Sequence, residues 1–463
     1  MSTELELATD VVKRVRDEGG RALFVGGWVR DRLSDRPSKD IDIEVYGLEA
    51  NRLRALLERI GRVNTVGESF TVYKLGPLDV SLPRRESKTG HGHRGFTVSG
   101  DPTLPVVEAA RRRDFTINAI AWDPMTDEYL DPYHGRDDLT RGVLRVVDPE
   151  TFADDSLRVL RAIQFAARFD LRIDNATRTL CQGIPLDDLP AERIWGEVEK
   201  LLMRSRRPSV GFQLALELRI VERLFPEMAV MVGCEQEPEW HPEGDVWTHT
   251  LLVIDQAATH RQDLSYARQV ALMLSAVCHD LGKPATTEFI EGRIRSRNHE
   301  AAGVGPTERL LDRLNIHTLD GYNIRRQVVG LVACHLTPGM WHRAPQRVGD
   351  GAFRRLARKV ELELLGRLAK ADCLGRTGEF DCTAMDWFLE RATTLGIERE
   401  PPPRLLLGRH VLALGLRPGP AVGRVLAAVY EQQLDGAVTS LQEAIEAAQS
   451  LVAASEQVDH HGR

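Results

Sequence analysis

Apolar positions recur with helical spacing over residues 5–19 and 49–61. Four short apolar runs, 22–26, 40–46, 70–75 and 78–82, have the length and flanks of strands. This mixture predicts an α/β region to about residue 140. From about residue 150 the pattern turns almost wholly helical, beginning with DDSLRVLRAIQFAARF. Loop signals fall at 146–152, 205–209, 233–245, 338–351 and the proline run Pro401 to Pro403. There is no internal repeat and no low-complexity segment. Past residue 385 helical spacing continues through LLLGRHVLALGL and VGRVLAAVYEQQLDGAVTSLQEAIEAA with no catalytic constellation, and the end from Asp459 (DHHGR) is expected to fray, its two histidines a weak metal signal.

A chain of 463 residues is long enough for about three domains. Its 42% hydrophobic and 28% charged content is that of a soluble globular protein. No apolar run is long enough to span a bilayer, and MSTELELATDVVKRV lacks the apolar centre of a signal peptide. Six cysteines (Cys181, Cys234, Cys278, Cys334, Cys373, Cys382) show no CxxC spacing, which predicts reduced thiols and a cytoplasmic protein. The net charge of −7 argues against nucleic acid only on average. Basic residues cluster at Arg84, Arg85, Lys88 and Arg94, at Arg111 to Arg113, and at Arg204, Arg206 and Arg207. Local clusters can contact phosphates whatever the total charge.

The densest chemistry lies in FVGGWVRDRLSDRPSKDIDIEV, residues 24–45. Residues i and i+2 of a strand share a face, so Asp40 and Asp42 set two carboxylates side by side. Unrelieved, they would raise each other's pKa; a hard divalent cation such as Mg²⁺ removes that cost and is usually shared with substrate phosphates. Gly26 and Gly27 open a short Arg-rich helix and let backbone N–H groups approach a triphosphate. These are the parts of a nucleotidyl-transfer site.

LDVSLPRRE offers Asp79 as a third carboxylate if its strand pairs beside DID; otherwise Asp79 is a polar residue on a solvent face. RRESKTGHGHRG, residues 84–95, is too rich in Gly, Lys and Arg to pack, and reads either as a basic clamp or as a connection. RRRDFTINAIAWD, residues 111–123, joins a basic cluster to an apolar strand. It places Arg112, Arg113 and Asp114 near the cleft, with Asn118 in reach of a ribose or phosphate.

In order, GGWVRD with DID, RRDFTINA, DPYHGRDDL (131–139), DDSLRVLRAIQFAARF (154–169) and ERIWGEVEKLL (192–202) resemble the five motifs of the class II nucleotidyltransferases, the family of CCA-adding tRNA nucleotidyltransferases and bacterial poly(A) polymerases. The series covers about residues 20–205. The resemblance implies an α/β nucleotidyltransferase head with a small mixed sheet, then an all-α neck, body and tail. It implies that Asp40 and Asp42 bind the catalytic Mg²⁺ with Asp79 assisting, and that Gly26, Gly27, Arg30, Arg112, Asp114, Asn118, Asp155, Arg158 and Arg161 bind the nucleotide. The fourth motif usually begins Glu-Asp, where this chain has Asp154-Asp155. On that match Asp155 and Arg158, at i and i+3 of a helix, pair with the base edge of CTP or ATP. Arg193 and Glu197, at i and i+4, are expected to brace that helix, and their plain alternative is a surface ion pair.

A second constellation begins at WHPEGDVWTHT: His249, then His279-Asp280 in CHDLGK, His299, His335 and Asp372. This order resembles the HD-type metal-dependent phosphohydrolases over about 238–375. Imidazoles with carboxylates suit Mn, Fe, Ni, Co or Mg, and the lack of thiolate pairs argues against structural zinc. Lys283 is expected to hold a phosphate there. His241, His260, His317, His342 and His410 fit no site. The combination resembles CCA-adding enzymes of the enterobacterial type, which implies phosphatase, 2′-nucleotidase and 2′,3′-cyclic phosphodiesterase activities on RNA ends.

The expected order is a head at 1–145, a helical neck with the base-selecting helix at 146–232, an HD domain at 233–385 and a helical tail at 386–463 that packs on the body or touches the tRNA elbow. Expected partners are tRNA, CTP and ATP, with no membrane and no obligate protein partner. The leading expectation is CCA addition. A partial activity (CC-adding, A-adding or poly(A) synthesis) is the nearest rival, and the full-length span from Arg84 to Asp114 favours complete addition. Two other rivals are a phosphohydrolase whose first half only binds RNA and a nucleotide-sensing regulator.

Overall fold

The computed structural model describes residues 3–38, 40–66, 72–88 and 96–461. The chain divides into two compact units, Met1–Leu224 and Phe225–Arg463.

The first unit opens with a helix, Thr3–Asp17, followed by β1 (Arg21–Val25), a short helix Gly27–Leu33, β2 (Ile41–Tyr46) and a helix Ala50–Glu58. Then come β3 (Val63–Val66), β4 (Val72–Leu75), β5 (Leu78–Ser81), β6 (Arg84–Lys88), β7 (Phe96–Gly100), β8 (Ala121–Asp123) and β9 (Glu128–Leu130). Seven of these strands form one sheet in the order β3-β4-β5-β2-β1-β8-β9. Only the β2–β5 pair is parallel, so the sheet is mixed. Strand alternation sorts β2: Ile41, Ile43 and Val45 enter the main core with Leu78 and Val80 of β5. Asp42, Glu44 and Tyr46 therefore face the other side.

The expected strands at 22–26, 40–46 and 78–82 and both early helices are present within a residue or three. In the 70–75 run, positions 70–71 lie outside the described residues. The basic segment differs from its expectation. Residues 84–88 pair antiparallel with 96–100 as β6 and β7, Arg84 opposite Gly100. Residues 89–95 lie outside the described residues. The helices that follow include Leu157–Phe169 and Ala191–Arg204, packed on one another. A two-residue parallel pair, β10 (Val143–Leu144) with β11 (Arg172–Ile173), joins the segment before these helices to the one that follows Leu157–Phe169. The loop expected at 146–152 contains a helical turn, Pro149–Phe152, whose N–H at Glu150 is capped by Asp148.

The second unit is built on the helices Val246–Thr259, Tyr266–Cys278, Ile324–Cys334 and Leu362–Leu374. Its caps are readable in the sequence: Asp245 accepts from the N–H of Thr248, and Asn323 from that of Arg326. One element departs from the all-helical expectation, an antiparallel hairpin of β12 (Thr287–Ile290) and β13 (Arg293–Ser296). The 338–351 loop also starts with a helix, Thr337–His342. The tail has its own apolar cluster, with Leu406, Val411, Val429 and Ala444 buried. Ion pairs from Arg355 (2.9 Å) and Arg358 (2.6 Å) to Glu431 fasten it to the helix Asp350–Ala357. The last helix runs to His461 rather than fraying at Asp459, and the side chains of its two final histidines lie outside the described set.

The expectation of wholly reduced thiols is corrected. Cys373 and Cys382 form a disulfide, with S–S 1.98 Å, while Cys181, Cys234, Cys278 and Cys334 are free. Eight intervening residues give no recognisable motif, and the pairing depends on how the chain turns after the Leu362–Leu374 helix.

Candidate active sites

In the first unit, β2 and β5 run parallel with Asp42 opposite Asp79. Neighbouring strands are about 4.8 Å apart, so register alone sets the two carboxylates side by side. Asp40 precedes β2 and is exposed. Burial, with Asp79 and Asp40 close by, pushes the Asp42 carboxyl up to about 6 even though Arg113 opposes the shift. Asp79 accepts from Lys74 on β4 at 2.8 Å. A half-buried carboxylate with a raised pKa beside two others is suited to a divalent cation, which would remove the repulsion.

Gly26 stands next to Asp42 with φ +71. A Cβ there would lie 3.0 Å from the Arg113 guanidinium and 3.5 Å from an Asp42 oxygen. Glycine is thus required both by conformation and by space. Gly26, Gly27, Arg30, Asp42, Asp114, Asn118, Asp155, Arg158, Arg161 and Arg193 line one cavity of about 460 Å³. Arg113, Arg168, Lys200 and Arg204 complete its wall and make it strongly cationic.

The far wall is a relay of buried polar groups. Arg30 donates to Asn118 (2.6 Å), Asn118 to Asp114 (2.9 Å), and Arg161 to the other Asp114 oxygen (2.7 Å). The Arg30 guanidinium also lies over Phe169, 4.1 Å from the ring centre. Asp155 is not on the helix, as i,i+3 spacing implied. It precedes the Ser156 N-cap of Leu157–Phe169 and accepts the Leu157 N–H at 3.2 Å. Arg158, one turn on, donates to the carbonyls of Thr151 (3.0 Å) and Arg112 (2.8 Å).

Arg193 and Glu197 brace this segment separately, not as a pair with each other. Arg193 holds Asp155, while buried Glu197 accepts from Lys200 at 2.8 Å and stands 3.9 Å from Arg161. Arg112 does not line the cavity; it turns back to Glu44 at 2.8 Å. Sequence reasoning passed over Glu44. Burial pushes its carboxyl up, but Arg113 and Arg112, with the Tyr46 hydroxyl at 2.7 Å, hold it below the usual range. Its signal was present, since Glu44 continues the polar face of Asp42 at i+2.

In the second unit all six expected ligands converge. Their donor atoms form two groups, His249 with His279 and Asp372, and Asp280 with His299 and His335, each with its atoms within 4.8 Å of one another. His249 Nε2 lies 3.0 Å from Asp372, His279 Nε2 3.2 Å from Asp280, and His299 Nε2 3.3 Å from Asp280. The outer nitrogens are spoken for. Nδ1 of His279, His299 and His335 meets the carbonyl of Ala276 (2.9 Å), Ser296 (2.8 Å) and Val332 (2.8 Å), each three residues upstream. His249 Nδ1 meets Glu243 at 2.7 Å. Donation at Nδ1 leaves each Nε2 lone pair aimed inward, the usual arrangement of metal-bound imidazole.

Burial pushes His335 down to about 4, so its ring is neutral and can ligate. Despite burial, His279 and Lys283 hold Asp280 well below the usual carboxylate range, and His249 does the same for Asp372. Neither Asp280 oxygen nor His279 Nε2 completes an aligned hydrogen bond, although all are buried. Buried lone-pair atoms that converge without an aligned hydrogen bond fit a divalent cation. Lys283 reaches Asp280 at 2.7 Å at the edge of a cavity of about 340 Å³.

His241, which fitted no site by sequence, lines this cavity, with Nδ1 2.9 Å from Glu243 and its ring edge-on to His249. Glu243 was missed as well; it lies on an irregular loop, where no periodicity predicts its aim.

The chain matches the model of the poly A polymerase head domain over residues 22–145, and that of the probable RNA and SrmB-binding site of polymerase A over residues 172–231. It is 34% identical to the multifunctional CCA protein of Xylella fastidiosa (strain 9a5c) over 383 residues, 78% of this chain and 85% of the relative. It is 36% identical to that of Methylobacillus flagellatus over 382 residues, 80% and 87% of the two chains. Its fold is that of the Bacillus stearothermophilus CCA-adding enzyme solved with CTP, at a TM-score of 0.65, 20% identity, and 99% and 100% coverage. The Thermotoga maritima enzyme solved with tRNA aligns with a TM-score of 0.57 at 20% identity, over 98% of this chain and 96% of that one. The chain belongs to the multifunctional CCA proteins, a branch of the CCA-adding tRNA nucleotidyltransferase and poly(A) polymerase family.

Proposed function

We propose that this chain adds CCA to tRNA 3′ ends from CTP and ATP without a nucleic-acid template, and that its second unit hydrolyses phosphoesters at RNA ends. The observation that carries the first reading is the Asp42–Asp79 pair at the edge of a cationic cavity that also contains Asp155 and Arg158. Asp42, Asp40 and Asp79 would hold Mg²⁺, which when bound activates the terminal hydroxyl and steadies the charge of the leaving pyrophosphate. The 3′ oxygen bonds to the α-phosphorus as the bond to pyrophosphate breaks.

The remaining work belongs to the chain's own side chains. Arg113, 3.9 Å from Glu44 and beside the space a Cβ at Gly26 would fill, meets triphosphate charge, and Gly26 keeps that approach free of a side chain. Asp155 accepts from the exocyclic amine of cytosine or adenine, while Arg158 donates to the adjacent ring nitrogen. Uracil and guanine present a carbonyl where Asp155 needs a donor. Protein groups thereby choose C and A over U and G.

The chain reads as four functional segments: the transferase head at 1–145, the base-selecting neck at 146–232, the His–Asp centre at 233–385 and the tail at 386–463. No helix among the described residues is long and apolar enough to cross a membrane, and the cytoplasm, where tRNA maturation takes place, is the proposed location. In the second unit His249, His279, Asp280, His299, His335 and Asp372 would hold Mn, Fe, Ni, Co or Mg, supplying a hydroxide nucleophile near neutral pH. Lys283 binds the phosphate.

The deciding experiment incubates the protein with tRNA ending at the discriminator base, with CTP, ATP or both, and sequences the products. Complete CCA supports the reading. Arrest at CC, a long A tail or no extension would each overturn it in a different direction.

A further inference from the structure

The wall of the histidine cavity carries side chains that metal binding does not use. Arg343 and Arg376 line it, and among the described residues neither guanidinium lies within 4.0 Å of a carboxylate. Arg376 sits over Phe380 at 5.3 Å, and its Nε has no hydrogen-bond partner. Trp240 lines the same wall yet remains 46% exposed.

The hairpin β12–β13 forms the adjoining edge. Ile294 and Ser296 line the cavity, and the Ile294 N–H donates to Glu237 at 2.9 Å. Opposed residues of an antiparallel pair share a face. Phe289 is opposite Ile294 and Thr287 opposite Ser296, so Phe289 belongs to the cavity-side face, one pair beyond Ser296. It is 76% exposed.

Charge at this mouth favours an anion. Glu239 is occupied by Arg293 at 3.0 Å, Glu291 by Arg295 at 3.7 Å, and Glu237 by the hairpin backbone. Exposed Arg297 has no ion pair among the described residues. Two exposed aromatic rings at a cavity whose wall carries Arg343 and Arg376, neither in a direct ion pair among the described residues, match single-stranded nucleic acid, whose bases stack while its phosphates meet cations.

We infer that Trp240 and Phe289 form a stacking platform for the unpaired nucleotides of an RNA 3′ end whose terminal phosphate enters the histidine cavity. Arg343 and Arg376 face the phosphates between them. The inference rests on the phosphoesterase reading of that cavity. For a 2′,3′-cyclic end, the water oxygen bonds to phosphorus, one ribose P–O bond breaks, and that ribose oxygen takes the proton.

The test uses the full chain with Mn²⁺ and two substrates: cytidine 2′,3′-cyclic phosphate and a tetraribonucleotide ending in the same group. The tetranucleotide should have a KM at least about tenfold lower, and Phe289→Ala should remove about tenfold of that advantage. Phe289→Ala should leave the mononucleotide's kcat and KM within about twofold, and Phe289→Trp should restore the tetranucleotide. Unchanged melting temperatures confirm folding at this exposed position. Equal effects on both substrates, or on neither, would overturn the platform alone. No metal-dependent cleavage of either substrate by the unaltered chain would overturn the phosphoesterase reading, and the platform with it.

Discussion

Arg193 grips the carboxylate of Asp155 through two hydrogen bonds, Nη1 to Oδ1 at 3.0 Å and Nη2 to Oδ2 at 2.8 Å. A planar fork of this kind fixes the carboxylate's plane as well as its position, which a lysine cannot do. Arg193→Lys should therefore cut discrimination of CTP over UTP about tenfold or more, with a smaller loss in CTP turnover. Single-nucleotide incorporation kinetics measure both, and an unchanged selectivity ratio would remove Arg193 from base choice.

Asp42 and Asp79 face each other across parallel strands; Asp79 pairs directly with Lys74 at 2.8 Å, while Arg113 acts on the less exposed Asp42 from a distance. Asp42→Asn should reduce nucleotide addition by about a thousandfold or more, and Asp79→Asn by less. Phosphoester hydrolysis should persist in both. Parallel tRNA-extension and Mn²⁺-dependent phosphatase assays would expose a single shared site if both activities fell together.

The raised Asp42 carboxyl gives a pH signature. Its folded value of about 6 exceeds the ordinary 3.8 of an aspartate, so the metal-free folded state keeps a proton that the unfolded chain has released between those values. Its contribution therefore turns against folding as pH rises through that window. Mg²⁺ must displace the proton, so the Mg²⁺-induced rise in melting temperature should be small at about pH 5 and full above about pH 7. Thermal melts with and without Mg²⁺ test this; in Asp42→Asn the dependence should vanish.

Glu243 meets Nδ1 of His249 at 2.7 Å, on the side of the ring away from Asp372, and clusters there with His241 rather than with the six inner ligand atoms. Glu243→Gln should weaken metal binding by about 10- to 100-fold, as loss of an outer hydrogen-bond partner usually does. His279→Ala should abolish it. Calorimetric titration with Mn²⁺ would separate the two, and wild-type affinity in the glutamine variant would show that His249 needs no such partner.

Glu44 is buried and binds Arg112 and Tyr46 while standing 3.9 Å from Arg113. Glu44→Gln should raise the KM for CTP and ATP more than it lowers kcat, because Arg113 loses its anchor, and should cost about 3 kcal/mol of stability. Denaturant unfolding and steady-state kinetics check the two effects. A pure stability loss with unchanged KM would confine Glu44 to the core.

Much of this was legible because type and period suffice for local features. The DID alternation divides β2 into an apolar and a polar face, and the order of His249, His279-Asp280, His299, His335 and Asp372 brings one cluster together. What stayed hidden depends on long-range geometry. The register that opposes Asp42 to Asp79 is set by strand order, and the Arg193 fork spans 38 residues. The Cys373–Cys382 bridge depends on a turn, and the β12–β13 hairpin is two four-residue strands within a stretch whose period is otherwise helical. His241 escapes a sequence reading because a lone loop histidine has no period to reveal its aim.

His279 and His335 occupy the C-caps of their helices, and each ring meets a carbonyl of the final turn. The rings thus complete the helices that carry them, and their orientation is paid for by secondary structure rather than by the ion. A chain stripped of metal should keep its cage standing, unlike a zinc finger, which collapses without its ion. Removal and return of an ion held here should then leave the fold unchanged, which far-UV circular dichroism with and without a chelator would check.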